Sequence, residues 1–426
     1  MKSNYDVIVI GGGPAGSTAA AVLAMKGRRV LLLEKEKFPR YHIGESLIPY
    51  TYFTLERLGM LDKLRKTHFV RKYSVQFVRQ SGEVSTPFYF TQNWDHPSSS
   101  TWQVIRSEFD QMLLDNTREK GAEVIEEMTV KEPIRENDFV VGVRGEDKQG
   151  RPFEVRAPLT IDASGRDGFT QVKNGWRIRD PKLNKIAVWT YYKGAMRDQG
   201  IDEGATTVAY LPGKGWFWYI PWPDDRVSVG VVAESSYLFR DTRDPETIFQ
   251  REVGNNLWIQ NHLAPGKVAS QYRVTGEYSF RSKYCAANGL VLAGDAFAFL
   301  DPVFSSGVML ALRSGEMAGD AVDAALTAGD YSAKMFSSYG NTLCYGIESM
   351  RKLVYAFYDP NFRFKELFKK YPHLHKRLTD CLTGDLFTDF DELFQRVAEF
   401  ADVPAPVEHG KPLINQPQGE PNALRV

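Results

Sequence analysis

Cysteine is scarce in this chain, with three residues in 426: Cys285, Cys344 and Cys381. An odd count without metal-ligand spacing excludes a disulfide framework and a cysteine-based metal site, and fits a reducing cytoplasm with incidental buried thiols. Neither sign of charge is in excess, since Lys+Arg and Asp+Glu both number 53. No global field recruits nucleic acid or anionic lipid, which leaves a small molecule or a local patch on a protein as the expected ligand. Long apolar runs are missing, and the first apolar segment starts at Tyr5 with no room for a charged n-region. The expectation is a soluble cytoplasmic protein with no metal, no membrane segment and no targeting peptide. Internal repeats and low-complexity blocks are also absent before the tail. Apolar residues are plentiful, at 43%, over a length that suits two or three interlocking domains rather than one ordinary core.

The first positive signal is local. Tyr5 to Ile10 is a short β-branched run that leads into Gly11-Gly12-Gly13-Pro14-Ala15-Gly16, followed by an alanine-rich helix from Ser17 to Met25 and a second strand from Arg29 to Leu33. Gly11, Gly13 and Gly16 occupy the Gly-x-Gly-x-x-Gly positions, where they allow the tight turn, the approach of backbone to a pyrophosphate, and close helix–strand packing. Glu34 ends the second strand, placed to accept hydrogen bonds from a ribose diol. Strand, turn, helix and terminal acid in register predict dinucleotide binding.

The later motifs follow the order found in para-hydroxybenzoate hydroxylase-like flavoproteins, and over residues 1 to about 330 the chain resembles them. Thr160 to Arg166, with Asp162 and Ala163, looks like that family's Asp-Gly motif, and Leu292 to Ala296, with Gly294 and Asp295, looks like its Gly-Asp motif. The resemblance implies FAD, an α/β fold with a GR2-type Rossmann-like domain, and cofactor contacts at Pro14, Ala15, Lys35, Arg40, Gln103, Arg106, Asp162, Ala163, Gly294 and Asp295. Gly44-Glu45-Ser46 resembles a loop beside the isoalloxazine ring in halogenases and in related isoprenoid reductases. His42 reads as an ordinary loop histidine.

Three further features resemble flavin-dependent halogenases of the phenol or pyrrole type. Trp216-Phe217-Trp218-Tyr219-Ile220-Pro221 fits Trp-x-Trp-x-Ile-Pro, and two Trp two residues apart on a strand share one face. Phe299 to Gly307 fits Phe-x-x-Pro-x-x-Ser-x-Gly, which implies that Pro302 and Gly307 lie by the flavin and that Ser306 and Gly307 hold halide, with a helix from Val308 to Ala318. Lys72 matches the lysine between flavin and substrate pockets. The family's chemistry then implies FADH2, O2 and chloride or bromide, a flavin C4a-hydroperoxide, and hypohalous acid directed by Lys72, either as a hydrogen-bond donor or as a haloamine. In tryptophan halogenases a glutamate stands where this chain has Phe304, and no obvious carboxylate replaces it; an electron-rich phenol or pyrrole, free or on an acyl or peptidyl carrier protein, needs less help from a base. Trp216, Trp218 and Phe304 are the expected substrate pocket. Glu277 aligns with an acid near the flavin's dimethylbenzene edge in some relatives, but reads more simply as solvated.

No second nucleotide fingerprint is visible, so a separate NAD(P)H flavin reductase is the expected partner. The alternatives are an FAD-dependent monooxygenase or a geranylgeranyl-reductase-like NADPH-dependent oxidoreductase, with a non-catalytic flavin-binding protein last. The motif order places a discontinuous FAD domain at 1-76, 101-170 and 283-330. A mostly β substrate layer is inserted at 77-100 and 171-282, with strands at Ile186 to Lys193, Thr206 to Leu211 and Val227 to Val232. A helical region follows at 331-402. Its aromatics, Tyr355, Phe357, Tyr358, Phe362, Phe364 and Phe368, read as core that walls the substrate pocket. Its basic cluster, Lys365, Lys369, Lys370, Lys376 and Arg377, reads as a solvated face or as a dock for an acidic carrier. The tail at 403-426 is expected to be extended or disordered.

Overall fold

A computed structural model describes residues 4–92, 94–211, 215–276 and 279–414. Its first sheet grows from the apolar runs of the fingerprint. Strands Val7–Ile10, Val30–Leu33, Leu159–Asp162, Leu290–Leu292 and Glu123–Ile125 pair in parallel, with Tyr284–Ala287 added antiparallel at one side. Side-chain alternation sorts the two faces. Val7, Val9, Val30 and Leu32 face the helical core, whereas Ile8, Ile10, Leu31 and Leu33 pack with Met128, Val143 and Val155 of an antiparallel three-stranded layer. Each such aliphatic side chain contributes about 1.5–3 kcal/mol by leaving water.

Helix Pro14–Met25 lies against this sheet because its glycines permit it. A Cβ at Gly16 would stand 1.9 Å from the Gly11 carbonyl oxygen, and one at Gly11 would stand 2.4 Å from that of Ala163. The turn therefore brings three segments closer than any side chain tolerates. Helix Ser306–Ala328 packs alongside, and among the described residues no helix is long and apolar enough to cross a membrane.

The second sheet is mostly antiparallel. It runs Lys267–Val268, Lys185–Lys193, Arg226–Glu234, Gly215–Trp222, Thr206–Leu211, Ser74–Val78, Phe88–Tyr89, with Arg273–Thr275 also on Lys185–Lys193. Alternation again decides what each face meets. Trp189, Tyr191, Val208, Trp216, Trp218, Ile220 and Trp222 point into the core shared with the first sheet. Val188, Phe217, Tyr219 and Val231 face helices Pro245–Val253 and Leu257–Leu263, whose starts are capped by Asp244 and Asn256. Strand Ser74–Val78 crosses the expected boundary at residue 76 and belongs to this sheet throughout its length.

The C-terminal region packs on both sheets. Tyr355 and Phe362 are buried there, with Phe357, Tyr358, Phe364 and Phe368 packed on the same core. A buried ion network joins Arg281 and Arg351 to Asp180 and Glu348, and His409 hydrogen-bonds Glu348 at 3.1 Å. The described part of the tail is tied to the body of the protein. Lys411–Pro412 extends the first sheet beside Tyr284–Ala287, Leu413 is buried, and His409 is buried under Phe297. The apolar and ionisable side chains at the end of this Pro-rich stretch have partners, and the composition alone did not show them. Residues 415–426 lie outside the described part.

Candidate active site

One cavity of about 640 Å³ runs from the fingerprint to the second sheet. That volume lies in the range of cofactor and ligand sites. At one end it is lined by Gly11, Gly13, Pro14, Ala15, Glu34, Lys35, Arg40 and Ala163, in the middle by Gly44, Glu45, Ser46, Arg106 and Asp295, and at the far end by Trp216, Trp218, Ile220, Asp301, Pro302 and Gly307. The structure thus brings residues more than 290 positions apart into one continuous space.

The nucleotide end fits FAD. Helix Pro14–Met25 starts at Gly13 with no side-chain cap and no acidic residue in its first turn, so its leading N–H groups and dipole remain for phosphate. Glu34 is buried, its carboxylate accepting from the Gly12 amide at 2.6 Å and the Glu36 amide at 2.8 Å. Lys35 pairs with Asp167 at the rim. Arg106 and Arg40 both hold Asp110, at 2.8 Å and 3.1 Å. Burial opposes charge on Asp110 but is outweighed by Arg106, so that carboxyl stays below its ordinary range. Arg106 also donates to the Ile43 carbonyl at 2.7 Å, which fixes the backbone of the Gly44 loop. Burial pushes Asp295 up to about 6 against the pull of Arg166 and Arg106. His42 lines the same space and is depressed to about 4 by burial and Arg106, hence neutral at working pH.

Several expected contacts stand behind the wall instead of on it. Asp162 turns away to accept from the Ser164 and Thr170 amides, at 3.0 and 2.8 Å, and so shapes the Ala163 loop. Gly16 and Gly294 mark close approaches of helix and loop, a Cβ at Gly294 meeting that of Ala15 at 2.7 Å. Gln103 is fully buried, donating to Gly204 O and to Thr206 Oγ1, both at 2.9 Å. Phe304 packs edge-on against Phe357 rather than on the cavity surface. Glu277 lies outside the described residues.

Lys72 is fully buried, and no carboxylate pairs with it among the described residues. Its Nζ donates to Ser46 Oγ at 2.8 Å and to Leu47 O at 3.0 Å. Ser46 Oγ in turn lies 2.8 Å from Thr206 Oγ1, and both residues line the cavity. The lysine therefore reaches the cavity through one hydroxyl. Burial alone lowers its pKa to about 7, so ammonium and amine coexist at neutral pH.

At the far end the Trp216 and Trp218 rings stand 6.3 Å apart. Both indole N–H groups are occupied, Trp216 by Tyr358 Oη at 2.9 Å and Trp218 by Ser228 Oγ at 3.1 Å, which leaves apolar ring faces for a ligand. A carboxylate does stand near Phe304. Asp301 lines the cavity, accepting from the Val303 amide at 3.0 Å and from Tyr358 Oη at 2.9 Å, and burial pushes it up to about 6. Asp301 caps the short turn Pro302–Phe304, and its partner Tyr358, 57 residues on, carries no local signal in the sequence. Beside it, helix Ser306–Ala328 begins with no side-chain cap and no acid in its first turn. Ser306 Oγ is buried without a partner among the described residues, and Gly307 lines the cavity.

The tryptophan halogenase family model matches residues 6–102 and 91–402. The chain belongs to the tryptophan halogenase family. It is 29% identical over 410 residues to a 1H-pyrrole-2-carbonyl peptidyl-carrier-protein chlorinase of Pseudomonas fluorescens, covering 90% of each chain. A corresponding brominase of Pseudoalteromonas luteoviolacea is 31% identical, covering 78% of this chain and 81% of the relative. Among solved structures, the flavin-dependent brominase Bmp2 superposes with a TM-score of 0.85 at 28% identity, covering 93% of this chain and 98% of that one. The myxobacterial chondrochloren halogenase CndH gives 0.80 at 30%, covering 94% and 96%. The chain is a flavin-dependent halogenase, an oxidoreductase that uses FAD with dioxygen and halide. The GR2-type fold expected from the motif order is the one observed.

Proposed function

We propose that this enzyme chlorinates or brominates an electron-rich ring, a pyrrole or a phenol, presented on an acidic carrier protein, with reduced FAD supplied by a separate NAD(P)H flavin reductase. The continuity of the cavity carries the reading: the nucleotide fingerprint, the Lys72–Ser46 pair and the paired tryptophans share one space. Reduced FAD, when bound, supplies the electrons that with dioxygen turn halide into a hypohalous electrophile. Gly11 to Ala15, Glu34, Lys35, Arg40, Arg106, Ala163 and Asp295 would hold it, the Gly44–Ser46 loop and Pro302 bracketing the ring. Ser306 Oγ and the amide at Gly307 would receive halide at the helix start.

The substrate would lie against Trp216 and Trp218. Asp301 is the acceptor for a pyrrole N–H or phenol O–H, which raises electron density at the reacting carbon. Lys72, through Ser46, places a hydrogen bond or an amine where the electrophile passes from the cofactor side to the ring. Carrier delivery is supported by the two pyrrole-carrier relatives and by Lys365 and Lys369, which remain exposed on helix Phe364–Lys370. Lys370, Lys376 and Arg377 are less available, being paired with Glu399 and Asp380.

The test is mass spectrometry of reactions containing FAD, a flavin reductase, NADH, oxygen and bromide. Pyrrole-2-carbonyl carrier protein is compared with free pyrrole-2-carboxylate, phloroglucinol and tryptophan. Bromination of the carrier-bound pyrrole in preference to the free acids supports the assignment. Bromination of free tryptophan alone contradicts the substrate class, and oxygenated products without bromine contradict the chemistry.

A further inference from the structure

Glu45 belongs to a second hydrogen-bond system that the Lys72 network does not touch. Ser46 Oγ meets Lys72 and Thr206, whereas the adjacent Glu45 carboxyl meets Tyr191 on strand Lys185–Lys193. Glu45 is 1% exposed and lines the cavity. Its Oε1 accepts from Tyr191 Oη at 2.6 Å, and its Oε2 is buried with no hydrogen-bond partner among the described residues. Tyr191 Oη lies 2.9 Å from Tyr41 Oη, which also accepts from Trp189 Nε1 at 2.8 Å. Tyr41 is 43% exposed, with the Arg273 guanidinium 3.9 Å above its ring.

With Glu45 ionised, or protonated on Oε2, the hydrogens on this path have one order. Tyr191 has a single hydroxyl proton, committed to Glu45, so the bond between the tyrosines is donated by Tyr41. Each donor then points inward, from the partly exposed phenol to the buried carboxyl.

We propose that Tyr41, Tyr191 and Glu45 form a relay that carries a proton from solvent to the cavity in each halogenation cycle. The inference rests on the reading of the chain as a halogenase that acts on an aromatic C–H. Its balance requires such a proton: reduced FAD (FADH2), dioxygen, halide anion, the aromatic C–H and one proton give FAD, the carbon–halogen bond and two waters. Dioxygen takes four electrons, two from reduced FAD and two released as C–H and halide become C–halogen. In the relay step the Oε2–H bond of protonated Glu45 breaks toward an oxygen in the cavity. In one concerted shift the Tyr191 proton passes to Oε1 as that of Tyr41 passes to Tyr191 and one from solvent hydronium passes to Tyr41, and rotation of the carboxyl and the two hydroxyls then returns the proton to Oε2 and restores the inward order. Burial holds the Glu45 carboxyl near 7, against the hydrogen bond of Tyr191, the nearby Ser228 hydroxyl and the charge of Arg106, so it both gives and takes a proton at working pH. Ser228 Oγ lies close to the carboxyl but completes no hydrogen bond to Oε2.

Two measurements test the relay. In the cofactor-free protein, infrared difference titration should show a protonated carboxyl band that is absent in Glu45→Gln and displaced in Tyr191→Phe. With FAD, flavin reductase, NADH, bromide and pyrrole-2-carbonyl carrier protein, Tyr191→Phe should lose roughly 10- to 100-fold in kcat. Its FAD affinity should stay within about twofold, its solvent deuterium isotope effect should rise, and a small buffer acid should restore rate. A Glu45 band that Tyr191→Phe leaves in place overturns the relay, as does a Tyr191→Phe variant with unchanged kcat and isotope effect. If the wild type gives no brominated product, the functional reading fails on its own, and the infrared comparison still decides the relay.

Discussion

Lys72 concentrates the electrostatic cost of the site in one side chain. Its pKa is near 7 when folded and 10.5 by its ordinary value, so between those values the unfolded chain binds more protons and stability rises with pH. Below about pH 7 the charged amine stays buried at full penalty, on the order of a few kcal/mol. Lys72→Met should therefore raise the melting temperature of the cofactor-free protein relative to wild type more at pH 6 than at pH 9, as calorimetry at the two pH values would show. An equal change at both would mean the ammonium is well solvated. Tyr358 is the corresponding test at the substrate end. Tyr358→Phe releases the Trp216 indole N–H and one oxygen of Asp301, so KM for the aromatic should rise about tenfold, with FAD affinity unchanged by fluorescence titration.

At the scale of elements, the glycine turn and the helix it launches are what the cofactor end depends on. Gly16→Ala places a methyl 1.9 Å from the Gly11 carbonyl oxygen and must push helix Pro14–Met25 off its strand. FAD affinity should fall at least about 100-fold, measured by flavin fluorescence quenching, while circular dichroism still reports a folded chain. Retained affinity would show that the helix start does not hold the pyrophosphate. This turn was legible in the sequence because its steric demands are local: strand, glycines and acid lie within thirty residues. The Trp216 and Trp218 pair was legible for the same reason, since strand periodicity alone puts both rings on one face. Asp301 was not, because its meaning comes from Tyr358, and the proximity of Glu45 to Tyr191 and Tyr41 depends on how two sheets meet. Asp162 is a cofactor contact by its motif, yet in the fold its two oxygens accept from the amides of Ser164 and of Thr170 in the following helix.

For the whole molecule, the two sheets and the C-terminal helices share one core, and the tail closes it. Removing residues 403–426 deletes the edge strand Lys411–Pro412 and takes His409 from Glu348. The truncated protein should melt several degrees lower at neutral pH, and its deficit against the full chain should narrow in acid. His409 is the largest of the favourable partners that hold the Glu348 carboxyl below its ordinary range against burial; a carboxyl so depressed stabilises above its unfolded pKa and loses that contribution as pH falls through the folded value. A melting curve indistinguishable from that of the full chain would show the tail to be dispensable.

In the proposed mechanism one cavity carries flavin-driven halogenation to an aromatic ring, and Lys72 controls the step. The measurement that tests it most directly is mass spectrometry of the product formed with bromide, FAD, a flavin reductase, NADH and oxygen by the wild type and by Lys72→Met, after fluorescence has shown that both bind FAD. The wild type should give paired bromine isotope peaks, and Lys72→Met at least about a 100-fold loss of them. Bromination that persists unchanged in Lys72→Met would contradict this mechanism.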